Sequence, residues 1–285
     1  MVLAMAGFTI NDIFVKFVGQ SLELGQTLFI RGCFACIAIY IVARFSGQLR
    51  PMKSMMTKPI ILRSLGEMLA TLTFVKAIFH IPLANVSAIF QALPLALTLY
   101  AAFFMGEQVG WRRMLAILIG FVGVLIIIRP GTDGFDIYSI WVLVAVAASV
   151  LRDIATRSIA KTTPSLMIAL FTAIGVTLMG AATAMFEPWQ PVSGQSLGLL
   201  ATTSIFLVVG YFGVVTAMRM GDIGFVSPFR YTVLLFSITG GALVFGEYPD
   251  TYTLIGAAFI VASGVYTIYR ERFVHQQKII QPPNR

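Results

Sequence analysis

Five residues that are charged at neutral pH interrupt runs that are otherwise apolar: Asp12, Lys16, Glu67, Asp153 and Arg230. An ionised side chain at the centre of a bilayer costs about 2.5–3.5 kcal/mol on insertion scales, so each of them needs a partner or a use. Asp12 and Lys16 are four positions apart, as are Asp153 and Arg157, which puts each pair on one helical face. Two readings are open. Either each pair neutralises itself within its own helix, with Arg157 alternatively snorkelling to the interface, or Asp12 serves as a coupling site for a proton or cation or receives a cationic substrate group. Asn11 beside it adds hydrogen-bonding capacity without charge.

Arg230 stands between Pro228 and Tyr231. Proline removes one helical hydrogen bond and can free backbone groups toward a cavity, where an arginine can grip a carboxylate or phosphate through two parallel bonds. The alternative is a pair between Arg230 and Glu67. Gln91 can donate and accept toward a ligand, or bond a neighbouring helix, and Pro94 can kink the helix beside it. Tyr100 and Tyr211 can stack on a heteroaromatic solute or cover a cation. Arg31 faces an outer mouth or snorkels, Lys76 reads as an anchor, and the helical turn between Arg152 and Asp153 argues against both facing one narrow site.

Other chemistries lack their parts. Cys33 and Cys36 share one apolar run far from His80 and His275, which makes them packing residues rather than a metal set. There is no H-E-x-x-H or G-x-S-x-G for an intramembrane enzyme and no G-x-x-x-x-G-K-[ST] loop for nucleotide hydrolysis. No cofactor is implied, and any transport must run on a gradient or by exchange. The net charge of +8 is scattered among apolar runs or gathered at their ends, a pattern of membrane orientation rather than of nucleic-acid binding.

The elements that position these residues follow from hydropathy. Apolar residues make up 58% and charged residues 11% of the 285, against roughly 45–50% and about 25% in soluble domains. Gly, Pro and charge divide the chain into spans at about 2–19, 26–45, 60–79, 83–105, 112–128, 138–159, 165–186, 196–217, 224–245 and 251–269. Arg44, Arg50, Lys53, Lys58 and Arg63 follow span 2; Arg112 and Arg113 follow span 4; Arg157 and Lys161 follow span 6; and Arg270, Arg272, Lys278 and Arg285 fill the tail. Lysine and arginine mark the cytoplasmic loops, so both termini are expected in the cytoplasm. Ala116 with Gly120, and Gly213 with Ala217 and Gly221, have the small-x-x-x-small spacing of close helix packing, and could also support a homodimer.

Two echoes divide the spans into halves. Phe103-Phe104-Met105-Gly106-Glu107 recurs as Leu243-Val244-Phe245-Gly246-Glu247 at an offset of 140, and Asn11-Asp12-Ile13 with Lys16 recurs as Arg152-Asp153-Ile154 with Arg157 at 141. Each unit holds five spans, an odd number, so the second must sit upside down relative to the first. The expected fold is an all-α polytopic membrane protein: ten transmembrane helices as two inverted five-helix repeats over 1–130 and 137–271, with a tail over 272–285. Inverted repeats are the construction of secondary transporters, which bind near mid-membrane and rock between two openings.

With Asn11-Asp12-Ile13-Phe14-Val15-Lys16 in span 1, a Gly-Glu turn after spans 4 and 9 and Pro228-Phe229-Arg230-Tyr231 in span 9, the chain resembles the drug/metabolite transporter superfamily, in particular its ten-span EamA-type members. The span 1, 6 and 9 motifs are similar to those of bacterial members assigned to S-adenosylmethionine uptake, and riboflavin carriers share much of that pattern. The resemblance implies a non-enzymatic carrier in the bacterial inner membrane moving a small organic metabolite. Its substrate-binding or coupling residues would be drawn from Asn11, Asp12, Lys16, Glu67, Gln91, Asp153, Arg230 and Tyr231, with Tyr100 and Tyr211 as possible lining. A lipid or lipid-linked amphiphile flippase of the same fold is the alternative.

Overall fold

The computed structural model describes residues 1–106, 109–132, 134–160, 162–220 and 226–280; Glu107, Lys161, Gly221 and Arg285 lie outside the described residues. Every regular element among them is helical. In chain order these are α1 (Val2–Val18), α2 (Leu24–Phe45), α3 (Lys58–His80), α4 (Leu83–Phe90), α5 (Leu93–Phe104), α6 (Trp111–Ile128), α7 (Ile137–Arg157), α8 (Ser165–Ala184), α9 (Gly194–Met220), α10 (Thr232–Gly240) and α11 (Thr251–Ile280). A 3₁₀ turn, Ser227–Tyr231, leads into α10, and a π turn, Gly241–Phe245, follows it.

These elements make ten spans, because α4 and α5 together form the fourth and the Ser227–Phe245 stretch forms the ninth. Eight of the ten are long and apolar enough to cross a bilayer on length and hydropathy alone. The other two are α1, at 17 residues, and α3, which carries Arg63, Glu67 and Lys76. Both charge-bearing helices pack inside the bundle, α1 against α9 and α10 and α3 against α7 and α8.

The helix pairings obey the two-fold relation that the repeats require. Spans 3 and 6 pair as α3 with α7, and their mirror images, spans 8 and 1, pair as α9 with α1. Spans 2 and 7 (α2, α8) and spans 5 and 10 (α6, α11) are each other's mirror images and pair directly. The α6–α11 seam is closed by Gly123 and Gly256, where a Cβ on either would come within 2.6 or 2.5 Å of the other's carbonyl oxygen. The Gly-Glu echo has a backbone basis too, since Gly106 and Gly246 both adopt φ +68°, the left-handed region that ends a helix without a Cβ penalty.

Three expectations change. Span 4 is not continuous: it breaks at Gln91 and Ala92, just before Pro94. Span 9 opens with a 3₁₀ turn around Pro228, and the two breaks fall within one residue of each other under the 140-residue offset. The last helix runs to Ile280 rather than ending near 269, because helix-forming residues continue beyond the apolar run and no proline intervenes before Pro282.

Candidate functional site

A cavity of about 440 Å³ lies between the repeats, within the roughly 300–1,000 Å³ range of small-molecule sites. Its walls are helix stripes at 3.6-residue spacing. From α1 come Met5, Phe8, Asn11 and Asp12; from α3, Arg63, Glu67, Ala70, Thr71 and Phe74; from α7, Ser149, Arg152, Asp153 and Thr156; from α9, Leu207, Tyr211 and Val214. The broken spans 4 and 9 add Phe90, Gln91, Pro94 and Arg230. Gln91 Nε2 donates to the Arg230 carbonyl at 3.1 Å, so one break caps the other, and the Ser87 and Ser237 hydroxyls bond at 2.7 Å nearby.

Charge inside this cavity is mixed. Four arginines (Arg31, Arg63, Arg152, Arg230) face three carboxylates (Asp12, Glu67, Asp153). Arg152 binds two of the three, with Nη1 3.1 Å from Glu67 Oε2 and Nε 2.8 Å from Asp153 Oδ1. Arg63 donates to the Thr172 hydroxyl at 2.7 Å. The third carboxylate, Asp12, accepts only the Asn11 amide, at 2.9 Å, among the described residues. Arg31 and Arg230 form no ion pair there. Two buried polar atoms of the lining, Asn11 Oδ1 and Ser149 Oγ, have no hydrogen-bond partner among the described residues, and such groups ordinarily find one in protein or solvent.

Apolar contacts flank the charges. Phe8 meets Tyr211 edge-on, centroids 5.3 Å apart, and Phe74 meets Phe90 at 4.9 Å. A solute with an aromatic ring has two aromatic pairs to lie against, and its charged groups have Asp12 and Arg31, which interact electrostatically with each other, together with Arg230.

Of the residues singled out from sequence, Asn11, Asp12, Glu67, Gln91, Asp153, Arg230 and Tyr211 meet in this cavity. Lys16, Tyr231 and Tyr100 do not. Lys16 binds Glu247 at the far end of α1, Tyr231 is buried with its ring against Gly264, and Tyr100 stacks on Phe104 of its own helix at 4.8 Å. The anticipated pairings also differ: Lys16 bonds Glu247 rather than Asp12, Asp153 bonds Arg152 rather than Arg157, and Glu67 bonds Arg152 rather than Arg230. Arg152 and Asp153 both reach the cavity because the long guanidinium arm bends back over its neighbour.

The sequence of this ten-span bundle matches the model of the EamA-like transporter family twice, over residues 1–129 and again over 136–270. The chain belongs to that family. Among its relatives, the S-adenosylmethionine uptake transporter of Rickettsia felis is 24% identical over 276 residues, covering 97% of this chain and 93% of that protein. The pseudopaline exporter CntI of Pseudomonas aeruginosa is 23% identical, with 92% of each chain covered. A riboflavin transporter of Vibrio cholerae is 27% identical over 187 residues, covering 65% of this chain and 62% of its own. A crystal structure superposes at TM-score 0.62 with 18% identity, spanning 95% of this chain and 98% of its own, which shows a shared fold. This EamA protein is thus a multi-pass membrane transporter and not an enzyme. The family's two matched units are the halves that enclose the cavity.

Arg31, Arg63 and Arg152 are the site residues that sequence reading undervalued. By charge alone Arg63 groups with the basic loop after span 2, yet it lies four residues before Glu67 in α3 and shares its face. That i, i+4 relation, continued by Ala70, Thr71 and Phe74, was the available signal.

Proposed function

We propose that the cavity binds a small organic metabolite bearing both cationic and anionic groups, and that the protein carries it across the bacterial inner membrane by alternating access. One observation carries this reading: Asp12 on one wall and Arg31 and Arg230 on others are left outside the Arg152 ion pairs, in one cavity beside two aromatic pairs. S-adenosylmethionine, riboflavin and amino acids are the solute classes to test, the first two by likeness to the relatives. The basic loops favour a topology with both termini in the cytoplasm. In that orientation the cavity opens toward the cytoplasm, because its lining comes within three residues of the cytoplasmic ends of α1, α7 and span 9, at Met5, Thr156 and Arg230. A lipid or lipid-linked amphiphile would need to bring a long apolar tail to a charge-lined cavity, which weighs against that cargo.

The test is equilibrium binding of the labelled solutes to purified protein, followed by Asp12→Asn and Arg230→Gln. Each charged contact is expected to contribute about 1.5–3 kcal/mol, so each variant should weaken binding by roughly 10- to 100-fold. Saturable binding that both variants leave unchanged would overturn the site assignment.

A further inference from the structure

The end of the bundle away from the basic loops is closed by a polar clasp embedded in apolar packing. Lys16, with a side chain only 8% exposed, donates to Glu247 Oε1 at 2.5 Å and to the Ile81 carbonyl at 2.8 Å. The other oxygen of Glu247 accepts the Leu83 backbone N–H at 3.0 Å, and the Lys16 ammonium sits 5.3 Å from the Phe245 ring centroid. Ile81 and Leu83, which bond to the clasp, belong with Ala77 and Ile78 to a nearly inaccessible apolar cluster. Glu247 is aimed there by its own turn: Gly246 takes φ +68° and the Glu247 N–H bonds back to the Gly241 carbonyl at 3.0 Å.

Lys16, Ile81 and Leu83 belong to the first repeat and Glu247 to the second, so this carboxylate is one of the fasteners between the halves at the closed end, beside Glu187 on the Gly25 amide and Asp250 on Arg129. We propose that Glu247 is a gating residue: it holds that end shut while the cavity is open to the basic side, and it must release Lys16 and the Leu83 amide for the cavity to open on the opposite side. The inference rests on the alternating-access reading. Among the described residues Glu247 bonds Lys16, Leu83 and Gly241, none of them in the cavity lining, and acts at a distance from the solute. With Lys16 8% and Glu247 24% exposed, removing the carboxylate strands a nearly buried ammonium, so the closed arrangement loses more than the open one, where both groups meet water.

The test uses cysteine accessibility in the full-length protein reconstituted in vesicles of known orientation. In a Cys33→Ser, Cys36→Ser background, Thr71→Cys places one thiol in the cavity wall. A membrane-impermeant maleimide should label it from the basic side and slowly from the other. Adding Glu247→Gln should raise labelling from the closed side by about tenfold, the ratio that about 1.4 kcal/mol of lost bias sets. The double variant Lys16→Met, Glu247→Gln strands no charge, and its amide oxygen can still accept the Leu83 N–H, so it should bring the rate back toward the parent and guards against reading a misfolded single variant as a gate. Unchanged sidedness in a monodisperse Glu247→Gln protein overturns the gate, as does a double variant that folds without lowering the rate. Counterflow of a solute in the same vesicles separates the two ideas. A shift in sidedness without any exchange of solute refutes the carrier and leaves the gate, whereas exchange with unshifted sidedness refutes the gate alone.

Discussion

Replacing Arg152 by methionine should unfold this protein more easily than any single loss among the cavity's charges. Arg152 is about one-fifth exposed and bridges Glu67, 18% exposed, and Asp153, 33% exposed. Removing it leaves two neighbouring carboxylates without the cation they share. Breaking a fully buried pair costs about 3–5 kcal/mol, and an exposed one at most about 1 kcal/mol. The partial exposure of all three groups places the cost between these limits, near 2 kcal/mol. That corresponds to a fall of roughly 4–8 °C in the apparent melting temperature, followed by circular dichroism in detergent at neutral pH. The combined variant Arg152→Met, Glu67→Gln, Asp153→Asn removes the stranded charges and should recover at least half of the loss. A single variant as stable as the parent would refute the reasoning, and so would a triple variant no better than the single one.

Two further predictions concern the turns. Alanine at Gly106 or at Gly246, both at φ +68°, should cost about 1–2 kcal/mol in each case, and similar shifts in melting at the two positions would bear out the mirrored backbone. At the start of α11 burial alone would raise the Asp250 carboxyl, but hydrogen bonds from Thr253 and the paired Arg129 outweigh it and hold the carboxyl below the usual carboxylate range. Because the folded form holds its proton less tightly, the stabilisation is present above the unfolded value near 3.8 and disappears as pH falls through the lowered one. Asp250→Ala should therefore cost about 1 kcal/mol at pH 7 and close to nothing at strongly acidic pH, a difference that melting curves across pH can measure.

Hydropathy made the spans legible, since a run of about twenty apolar residues has few other uses. The Gly-Glu echo gave the repeat because a left-handed helix end admits few residues besides glycine, and the same requirement recurs in both halves. Partners were read less well. Spacing within a helix suggested Asp12 for Lys16, but the lysine reaches Glu247, 231 residues away, and no local rule sees that distance. Tyr231 failed as a lining residue for a related reason: its neighbour Arg230 faces the cavity, so the next position along the 3₁₀ turn faces Gly264 and the core. The break in span 4 was half legible from Pro94, whose effect falls one turn earlier, at Gln91.

The central claim, that the two halves carry a charged metabolite through the cavity, is tested most directly by solute counterflow. Vesicles containing the purified protein are preloaded with one unlabelled candidate and diluted into its labelled form. Transient, saturable accumulation of label, inhibited by the same solute and not by phospholipid, is the expected result. Contradiction would come from a panel of S-adenosylmethionine, riboflavin and amino acids none of which exchanges, or from flux that rises without saturation.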